Sequence, residues 1–383
     1  MIANQAIPLA LYIHFPWCLR KCPYCDFNSH QAESEAIPEQ QYLAALLKEL
    51  EQLLPRVWGR RVSTIFFGGG TPSLLSPATV SNLLSAIRAR IPCVPALEVT
   101  LEANPGSLEI EKFQQFRDAG ITRLSIGVQS FADDSLQRLG RIHDAEQAHR
   151  AIQLVKACQF DSYNIDLMFG QPGQSISDAQ RDLDIALSYE PSHLSLYQLT
   201  IEANTAFMHR PPENLPDQDM QADMQDLLAA KAADAGLERY EVSAYATTGM
   251  QCRHNVNYWE FGDYLGIGAG AHSKVTDQAG VVRFSRPRLP KQYMANAGTM
   301  EAYISERKLN QGDLVLEYMI NALRLRSGFT LEQFSLHTGL DKDVLSSGID
   351  EAVKKGLLVQ NNDTICATDE GFGFLSDIQL MFS

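Results

Sequence analysis

Short apolar runs alternate with helical patterns over the first half of the chain, and this alternation constrains the fold more than any other feature. Between the runs, leucines and other apolar residues recur at helical spacing. The six runs of strand length are residues 9–15, 63–67, 97–101, 123–128, 163–169 and 193–199. Such alternation is typical of a parallel sheet with helices packed outside it, closed or partly closed. We therefore predict an α/β fold.

A chain of 383 residues is long enough for one large α/β domain and a smaller one. The alternation ends near residue 245, and residues 246–312 show aromatics and glycines without a clear period. Residues 313–383 contain three short helical patterns and a hairpin at 357–367, an order typical of a winged helix. The predicted domains are therefore 1–245, a connecting segment 246–312, and 313–383.

Three cysteines lie within eight residues, directly after the first apolar run. Cys18, Cys22 and Cys25 have the spacing C-x3-C-x2-C, which can turn three thiolates toward one site. Three ligands are one fewer than a structural zinc site or a fully ligated [4Fe–4S] cluster requires. A cubane bound here would keep one iron open for another ligand. A zinc loop and unrelated thiols are the alternatives.

The other cysteines and the charge indicate a cytoplasmic protein. Cys93, Cys158, Cys252 and Cys366 are scattered, and such cysteines are commonly buried in the core. This pattern fits a reducing compartment better than a disulfide framework. A formal net charge of −14 disfavours non-specific binding to nucleic acid or to anionic membranes. No secretory signal or membrane-spanning run is visible.

Glycine and polar motifs occur at or near the carboxyl ends of the predicted strands. Gly69 and Gly70 follow the second strand, Glu102 ends the third, Gln129 ends the fourth and Asp166 lies in the fifth. In a parallel barrel these ends share one face, where active sites gather. A tight turn, a helix cap, a salt bridge or a solvated side chain would explain each residue singly. Their shared position predicts a ligand site.

The cysteine spacing closely resembles that of radical S-adenosylmethionine (SAM) enzymes. In that family the open iron chelates the amino and carboxylate groups of the methionine part of SAM. The resemblance implies that Tyr12 lies beside the cluster and that Tyr24 contacts the adenine. It also implies that Arg141 binds the SAM carboxylate. The remaining implied SAM contacts are Gly69, Gly70, Thr71, Glu102, Gln129 and Asp166.

Further motifs over residues 9–330 resemble those of oxygen-independent coproporphyrinogen III oxidase and its relatives. They are Tyr12-Ile13-His14, residues 68–72, Gly127 to Ser130, Leu139-Gly140-Arg141 and residues 166–172. The resemblance implies a partial parallel (β/α)6-type radical SAM barrel with a C-terminal, mainly helical, winged-helix-like domain. Two departures stand out. The oxidases have another cysteine where this chain has Phe27, and a longer segment before the cysteine loop, where this chain has seventeen residues before Cys18.

A third motif, His-Asn-x-x-Tyr-Trp at residues 254–259, resembles the signature of HemW-type haem chaperones. His254 would offer an imidazole to haem iron, and Tyr258 and Trp259 would offer aromatic faces. Haem propionates would contact nearby cations, namely Arg286, Arg288 or Lys291. Because the motif lies beyond the sixth strand, we expect haem and cluster to occupy separate sites. A core histidine beside packed aromatics is the alternative.

These resemblances imply a haem chaperone that binds a [4Fe–4S] cluster, SAM and haem and transfers haem to acceptor proteins. The first alternative is a radical SAM oxidase or decarboxylase acting on coproporphyrinogen III or another porphyrin, and enzymatic activity is left open. The second is nucleic-acid binding by residues 330–383, but three lysines against nine acidic residues argue against it. The further expected partners are an electron-donor protein, membrane haem proteins contacted peripherally, and a second copy in a dimer.

Overall fold

The computed structural model describes residues 7–32, 37–299 and 305–382 of the chain. Outside the described residues lie 1–6, 33–36, 300–304 and 383, which all belong to the three predicted domains. In chain order, the strands of the described part are β1 (Leu9–Phe15), β2 (Trp17–Cys18), β3 (His30–Gln31), β4 (Val62–Gly69), β5 (Cys93–Ala103), β6 (Arg123–Gln129), β7 (Ser162–Phe169), β8 (His193–Gln198), β9 (Glu238–Arg239), β10 (Ala244–Ala246), β11 (Asp263–Ile267), β12 (His272–Asp277), β13 (Gly280–Ser285), β14 (Ser305–Lys308), β15 (Phe329–Thr330), β16 (Leu358–Asn361) and β17 (Thr364–Ala367).

Side-chain caps define where several helices begin. Ser76 accepts a hydrogen bond from the backbone N–H of Thr79, and a proline follows it in the first helical turn. Asp144 and Asn310 each form a capping box. In chain order, the helices are α1 (Glu39–Leu53), α2 (Pro77–Arg90), α3 (Ser107–Ile110), α4 (Phe113–Asp118), α5 (Asp133–Arg138), α6 (Ala145–Cys158), α7 (Ile176–Ser188), α8 (Ala206–His209), α9 (Gln218–Asp234), α10 (Arg253–Trp259), α11 (Pro290–Asn296), α12 (Gln311–Ala322), α13 (Leu331–Thr338), α14 (Ser346–Lys354), α15 (Asp369–Gly373) and α16 (Leu375–Leu380).

Twelve strands form one sheet in the order β14-β13-β12-β11-β1-β4-β5-β6-β7-β8-β10-β9. The seven strands from β11 to β8 in this order are parallel. Antiparallel strands extend the sheet at both sides. The six predicted strands are β1, β4, β5, β6, β7 and β8. The predicted α/β fold with a mostly parallel sheet is therefore confirmed.

The segment 246–312 supplies a seventh parallel strand, which the sequence did not predict. β11 pairs with β1 from Leu9 opposite Asp263 to Ile13 opposite Ile267. Four of its five residues are buried, so polar and apolar side chains do not alternate and the strand leaves little periodicity. β12, β13 and β14 then extend the same sheet. The division of the chain at residues 245 and 312 stays a prediction.

A second apolar core lies in the C-terminal region, apart from the core of the main sheet. It joins Tyr318, Phe329 and Phe334 to Phe261, which follows α10. β15, β17 and β16 form a separate three-stranded sheet that contains the predicted hairpin. Within the described ranges, no helix combines the length and apolar character needed to cross a bilayer.

Candidate cluster and cofactor site

Residues from β1, β4, β5, β6, β7 and β8 line a cavity of about 660 Å³. The cavity adjoins the carboxyl ends of the parallel strands, the face on which barrels of this kind place their sites. Every residue predicted as a cluster ligand, a SAM contact or the haem-iron ligand lines it. These thirteen residues are Tyr12, Cys18, Cys22, Tyr24, Cys25, Gly69, Gly70, Thr71, Glu102, Gln129, Arg141, Asp166 and His254. Their individual roles stay predictions.

The cysteine loop begins in β2 and ends in β3, and these two short strands pair in parallel. The backbone N–H of Cys25 donates to the carbonyl oxygen of Cys22 over 3.1 Å, which tightens the turn between them. Sγ of Cys25 lies 3.7 Å from Oγ of Ser29. Nη1 of Arg141 donates to Sγ of Cys22 over 3.6 Å. The loop thus turns its sulfur atoms toward one cavity, with a cationic group beside them.

The chemistry of these three thiols fits an iron–sulfur cluster. Burial raises the pKa of the Cys18 thiol to about 11, and burial also raises the pKa of Cys25. Such thiols keep their protons until a metal displaces them. In the described part of the chain, no three histidine, cysteine or acidic side chains converge closely enough to hold a single ion. A cubane is larger than one ion and is ligated at separate irons. Three cysteine thiols on one loop beside one cavity are a donor set that fits such a cluster, and a zinc loop stays the alternative.

The glycines at the end of β4 and directly after it are explained by packing as well as by a ligand. A Cβ on Gly69, whose φ is +112°, would lie 2.5 Å from the ring of His14. A Cβ on Gly70 would lie 2.4 Å from the carbonyl oxygen of Trp17. The N–H of Thr71 donates to that same oxygen over 2.8 Å. The close crossing of β4 and the cysteine loop thus requires glycine here, and the tight-turn explanation remains open beside the SAM contact.

Two carboxyl groups lie on the polar side of the cavity. Glu102 accepts from the N–H of Gly69 over 3.3 Å. Asp166 accepts from Nδ2 of Asn164 over 2.6 Å and from Oγ of Ser125 over 3.3 Å. Burial, and next the charge of Asp166, raises the pKa of Glu102 to about 8. Burial also raises the pKa of Asp166. Carboxyl groups perturbed in this way are typical of functional sites.

Arg141 lies in the connection between α5 and α6 and reaches across the cavity. Its Nη2 donates to the carbonyl oxygen of Gly127 over 2.8 Å and to Oδ1 of Asn104. Gly140 precedes it with φ of +70°, and a Cβ there would lie 2.7 Å from Pro23 of the cysteine loop. The contact between glycine and proline therefore sets the position of Arg141 beside the cluster loop.

The backbone of Gln129 is unusual for a residue that is not glycine. Its φ is +71°, and strain of this kind costs about 1–3 kcal/mol. Its Oε1 is buried and has no hydrogen-bond partner among the described residues. An unpartnered acceptor on a strained backbone is characteristic of a position that awaits a ligand.

His254 lies on α10, and its imidazole is already engaged. The residue is 1% exposed. Its Nδ1 forms a hydrogen bond with Oγ1 of Thr64 at 2.9 Å, and its Nε2 forms one with the hydroxyl of Tyr258 at 3.1 Å. Burial lowers the pKa of His254 to about 3, which keeps the ring neutral. Iron ligation by Nε2 would therefore require the bond to Tyr258 to break.

The haem motif and the cysteine loop open onto one cavity, and the separate placement of haem and cluster stays a prediction. His254, Tyr258 and Trp259 line the same cavity as the three cysteines. α10 packs against β1 and β4, and the ring of Phe66 stacks on His254 with centroids 4.9 Å apart. The two segments lie together although they are far apart in sequence, because β11, which follows α10, pairs directly with β1.

One of the three cations suggested for haem propionates is not available to them. Arg286 is buried and forms a salt bridge through its Nε with Glu49, which also accepts from Tyr293. Arg288 and Lys291 are exposed, and neither lines the cavity described above. Arg288 instead lies behind the cysteine loop, where its carbonyl oxygen accepts from Nδ2 of Asn28 over 3.0 Å.

Three further arginines, Arg20, Arg123 and Arg324, line the cavity and were missed by the sequence analysis. Arg123 begins β6 and is 4% exposed. Arg324, beyond α12, lies over the ring of Trp259 at 4.3 Å and donates to Oε2 of Glu241 over 2.9 Å. A charged residue in an otherwise apolar strand was a signal for Arg123. Arg324 had no local signal, because only the packing of the C-terminal region brings it to this wall.

Comparison with known proteins identifies the family. The radical SAM superfamily pattern matches residues 12–186, and the HemN C-terminal domain matches residues 309–374. A Haemophilus influenzae protein named heme chaperone HemW is 44% identical over 380 residues, and the match covers 98% of each chain. This chain belongs to the HemW family. HemW proteins of Escherichia coli, at 45% identity and 98% coverage of each chain, and Bacillus subtilis, at 32% identity with 94% and 95% coverage, agree with this assignment.

The solved structure of E. coli coproporphyrinogen III oxidase, described as a radical SAM enzyme, shares the fold of this HemW family member. The two superpose with a TM-score of 0.83 at 24% identity, covering 98% of this chain and 90% of the oxidase. The predicted radical SAM fold with its helical C-terminal region is therefore confirmed, as is the predicted family.

Proposed function

We propose that this protein is a haem chaperone that binds a [4Fe–4S] cluster, SAM and haem and passes haem to acceptor proteins. The observation that carries the proposal is the shared cavity, which gathers the three cysteines, the polar strand ends and the aromatic face of α10. The relatives named heme chaperone HemW support the haem part. The radical SAM match over residues 12–186 supports the cluster and SAM.

In this proposal Cys18, Cys22 and Cys25 hold the cluster, which supplies an open iron and an electron for SAM chemistry when bound. Arg141 offers its guanidinium to the SAM carboxylate from beside Cys22. Glu102 and the other polar strand ends accept hydrogen bonds from ammonium and hydroxyl groups. The residues proposed to complete the SAM site are Tyr12, Tyr24, Gly69, Gly70, Thr71, Gln129 and Asp166.

Haem is proposed to bind against α10, with Tyr258 and Trp259 as stacking surface and His254 as an axial ligand. Release of the hydrogen bond between His254 and Tyr258 would free Nε2 for iron. Because this bond reforms when iron leaves, ligation by His254 would be reversible, as transfer to an acceptor requires.

A second candidate is an oxidase or decarboxylase acting on coproporphyrinogen III or another porphyrin. One observation favours it: both ring nitrogens of His254 are hydrogen-bonded, and a metal-free porphyrinogen needs no iron ligand. The two carboxyl groups with raised pKa in the cavity also suit acid–base chemistry. Phe27, at the position of the additional cysteine of the oxidases, disfavours this candidate.

Further parts of the proposal concern organisation and partners. We assign a barrel domain to residues 1–245, a connecting segment to 246–312 and a C-terminal domain to 313–383. A cytoplasmic location, an electron-donor protein and the absence of a nucleic-acid partner complete the proposal. A dimer and a peripheral contact with membrane haem proteins stay predictions.

Anaerobic reconstitution of the cluster, followed by haem titration and an assay with coproporphyrinogen III, tests the choice between the two candidates. A chaperone binds haem stoichiometrically, donates it to an added haem-free acceptor and leaves coproporphyrinogen III unchanged. Efficient decarboxylation of coproporphyrinogen III with SAM would instead establish the oxidase.

A further inference from the structure

Arg123 is a buried arginine whose guanidinium makes no hydrogen bond to any other described residue. It is 4% exposed, it lines the cavity, and its Nε is buried without a partner. Thr100, directly opposite Arg123 in the sheet register, also has a buried hydroxyl without a partner in the described part. Leaving a buried charged donor unpaired is costly, so such a group usually has a ligand or water that satisfies it.

The acidic residues that attract Arg123 electrostatically are bonded elsewhere. Glu98 accepts from the backbone N–H groups of Arg253 and His254 at 3.2 and 3.1 Å. Asp166 accepts from Asn164 and Ser125. These carboxylates offset the charge of Arg123 at a distance but leave its fork of donors free. A guanidinium with free donors is suited to a carboxylate, which it binds through two parallel hydrogen bonds.

The position of Arg123 restricts the shape of the ligand. Arg123 begins β6 and Gln129 ends it, so the two Cα atoms are roughly 20 Å apart at the usual rise of a strand. The backbone of Arg123 therefore lies at the end of the cavity opposite Gln129, here called the floor, although its charge still acts on Glu102 and Asp166. A flexible acidic chain reaches such a floor more readily than a planar ring. Its neighbours in the cavity, His254 and His193, are both buried and keep a neutral ring, since burial lowers the pKa of each.

We infer that Arg123 forms a carboxylate subsite at the cavity floor, which receives an acidic side chain of the bound tetrapyrrole. With haem as the ligand, one propionate extends into the barrel while the ring stays at the wide part of the cavity beside α10. This inference rests on the proposed function, because it takes haem as the ligand of the same cavity. It gives the barrel floor a role in cargo recognition that is separate from the cluster and from His254.

The test compares haem with haem dimethyl ester, in which both propionates are neutral, on the reconstituted full-length protein. We expect the wild type to bind haem at least about tenfold more tightly than the ester, as for one lost charge-assisted hydrogen bond. Arg123→Gln should bind both ligands equally and as weakly as the wild type binds the ester. Arg123→Lys, which keeps the charge, should retain part of the preference. Thermal unfolding of each variant checks that the fold is intact.

Arg253→Gln is the control, because Arg253 is exposed, lies outside this cavity and donates its Nη1 to the carbonyl oxygen of Ala96 over 2.6 Å. It should keep the preference for haem over the ester. A folded Arg123→Gln variant that also keeps the preference would overturn the inference and leave the proposed function standing. So would loss of SAM affinity in Arg123→Gln with an unchanged preference, because the carboxylate would then be that of SAM. A wild type that binds no haem would overturn both.

Discussion

Two regions of the cavity differ in whether their polar groups already have partners. We call the cysteine loop with Gln129 and Arg141 the rim, and α10 with His254 and Tyr258 the wall. On the rim, Gln129 has an unpartnered acceptor and Arg141 has an unpartnered Nε among the described residues. On the wall, the imidazole of His254 is enclosed by hydrogen bonds to Thr64 and Tyr258. On the rim these two atoms need no existing bond to break before a ligand binds them, whereas the wall must change before it can ligate iron.

This difference suggests different tasks for the two regions. A permanent cluster and a tightly held cofactor gain affinity from groups that are already in position, because little ordering is needed on binding. Haem that must be released is better held by an iron-ligating side chain that has a competing hydrogen-bond partner. When the iron bond breaks, the hydrogen bond within the protein reforms and offsets part of the lost binding energy. The comparison therefore predicts that substitutions on the rim strongly weaken cluster or SAM binding. Substitutions on the wall should change haem affinity less, and in opposite directions.

The largest expected effect is loss of the cluster. Replacing Cys18, Cys22 or Cys25 by serine should abolish the absorbance and the iron content of the reconstituted cubane, because each thiolate is one of only three proposed ligands. Cys93→Ser and Cys366→Ser are the controls and should assemble the cluster normally. If Cys252→Ser also failed to assemble it, the model of an open iron would be wrong.

The next effect concerns SAM on the rim. Arg141→Ala and Asp166→Ala should each weaken SAM binding by about ten- to a hundredfold, the cost of one charge-assisted hydrogen bond, with iron content unchanged. Arg138→Ala serves as the control, since this exposed arginine lies at the end of α5 near Arg141 but outside the cavity. Equal SAM affinity in wild type and both cavity variants, measured by calorimetry, would remove these residues from the site.

On the wall, two substitutions should act in opposite directions. His254→Ala should weaken haem binding and shift the haem absorption spectrum, because it removes the proposed axial imidazole. Tyr258→Phe should strengthen haem binding severalfold, because it removes the hydroxyl that competes with iron for Nε2. Cluster and SAM binding should persist in both variants. A haem spectrum of His254→Ala identical to that of the wild type would contradict the ligand assignment.

The last prediction concerns the pH dependence of stability in the ligand-free protein. Burial raises the pKa of Glu102 to about 8 from 4.5, so the folded protein keeps a proton that the unfolded chain loses between these values. Stability contributed in this way is present below pH 4.5 and is lost as pH rises toward 8. The unfolding temperature of ligand-free Glu102→Gln, relative to the wild type, should therefore increase from pH 5 to pH 8.

The exposed Glu111→Gln is the control for this measurement and should follow the wild type at every pH. A difference between Glu102→Gln and wild type that stayed constant with pH would show that the Glu102 carboxyl does not carry the extra proton.

The sequence by itself determined six of the seven parallel strands and the main residues of the rim. Each of the six strands is a local apolar run, and residues at the ends of parallel strands share an edge because the topology requires it. Glu102, Gln129 and Asp166 could therefore be assigned to one face from their positions alone. The cysteine loop could be assigned in the same way, because its spacing and the strand before it are local features.

Only the tertiary structure decided what the wall and floor contain. α10 reaches the cavity because β11 pairs with β1, a contact between residues about 250 positions apart that no local pattern encodes. The same long-range packing encloses His254, pairs Arg286 with Glu49, and leaves Arg123 without a hydrogen-bond partner among the described residues. Whether a charged or polar side chain has a partner depends on which distant groups surround it. The sequence therefore shows that these residues are present but not whether each one is paired.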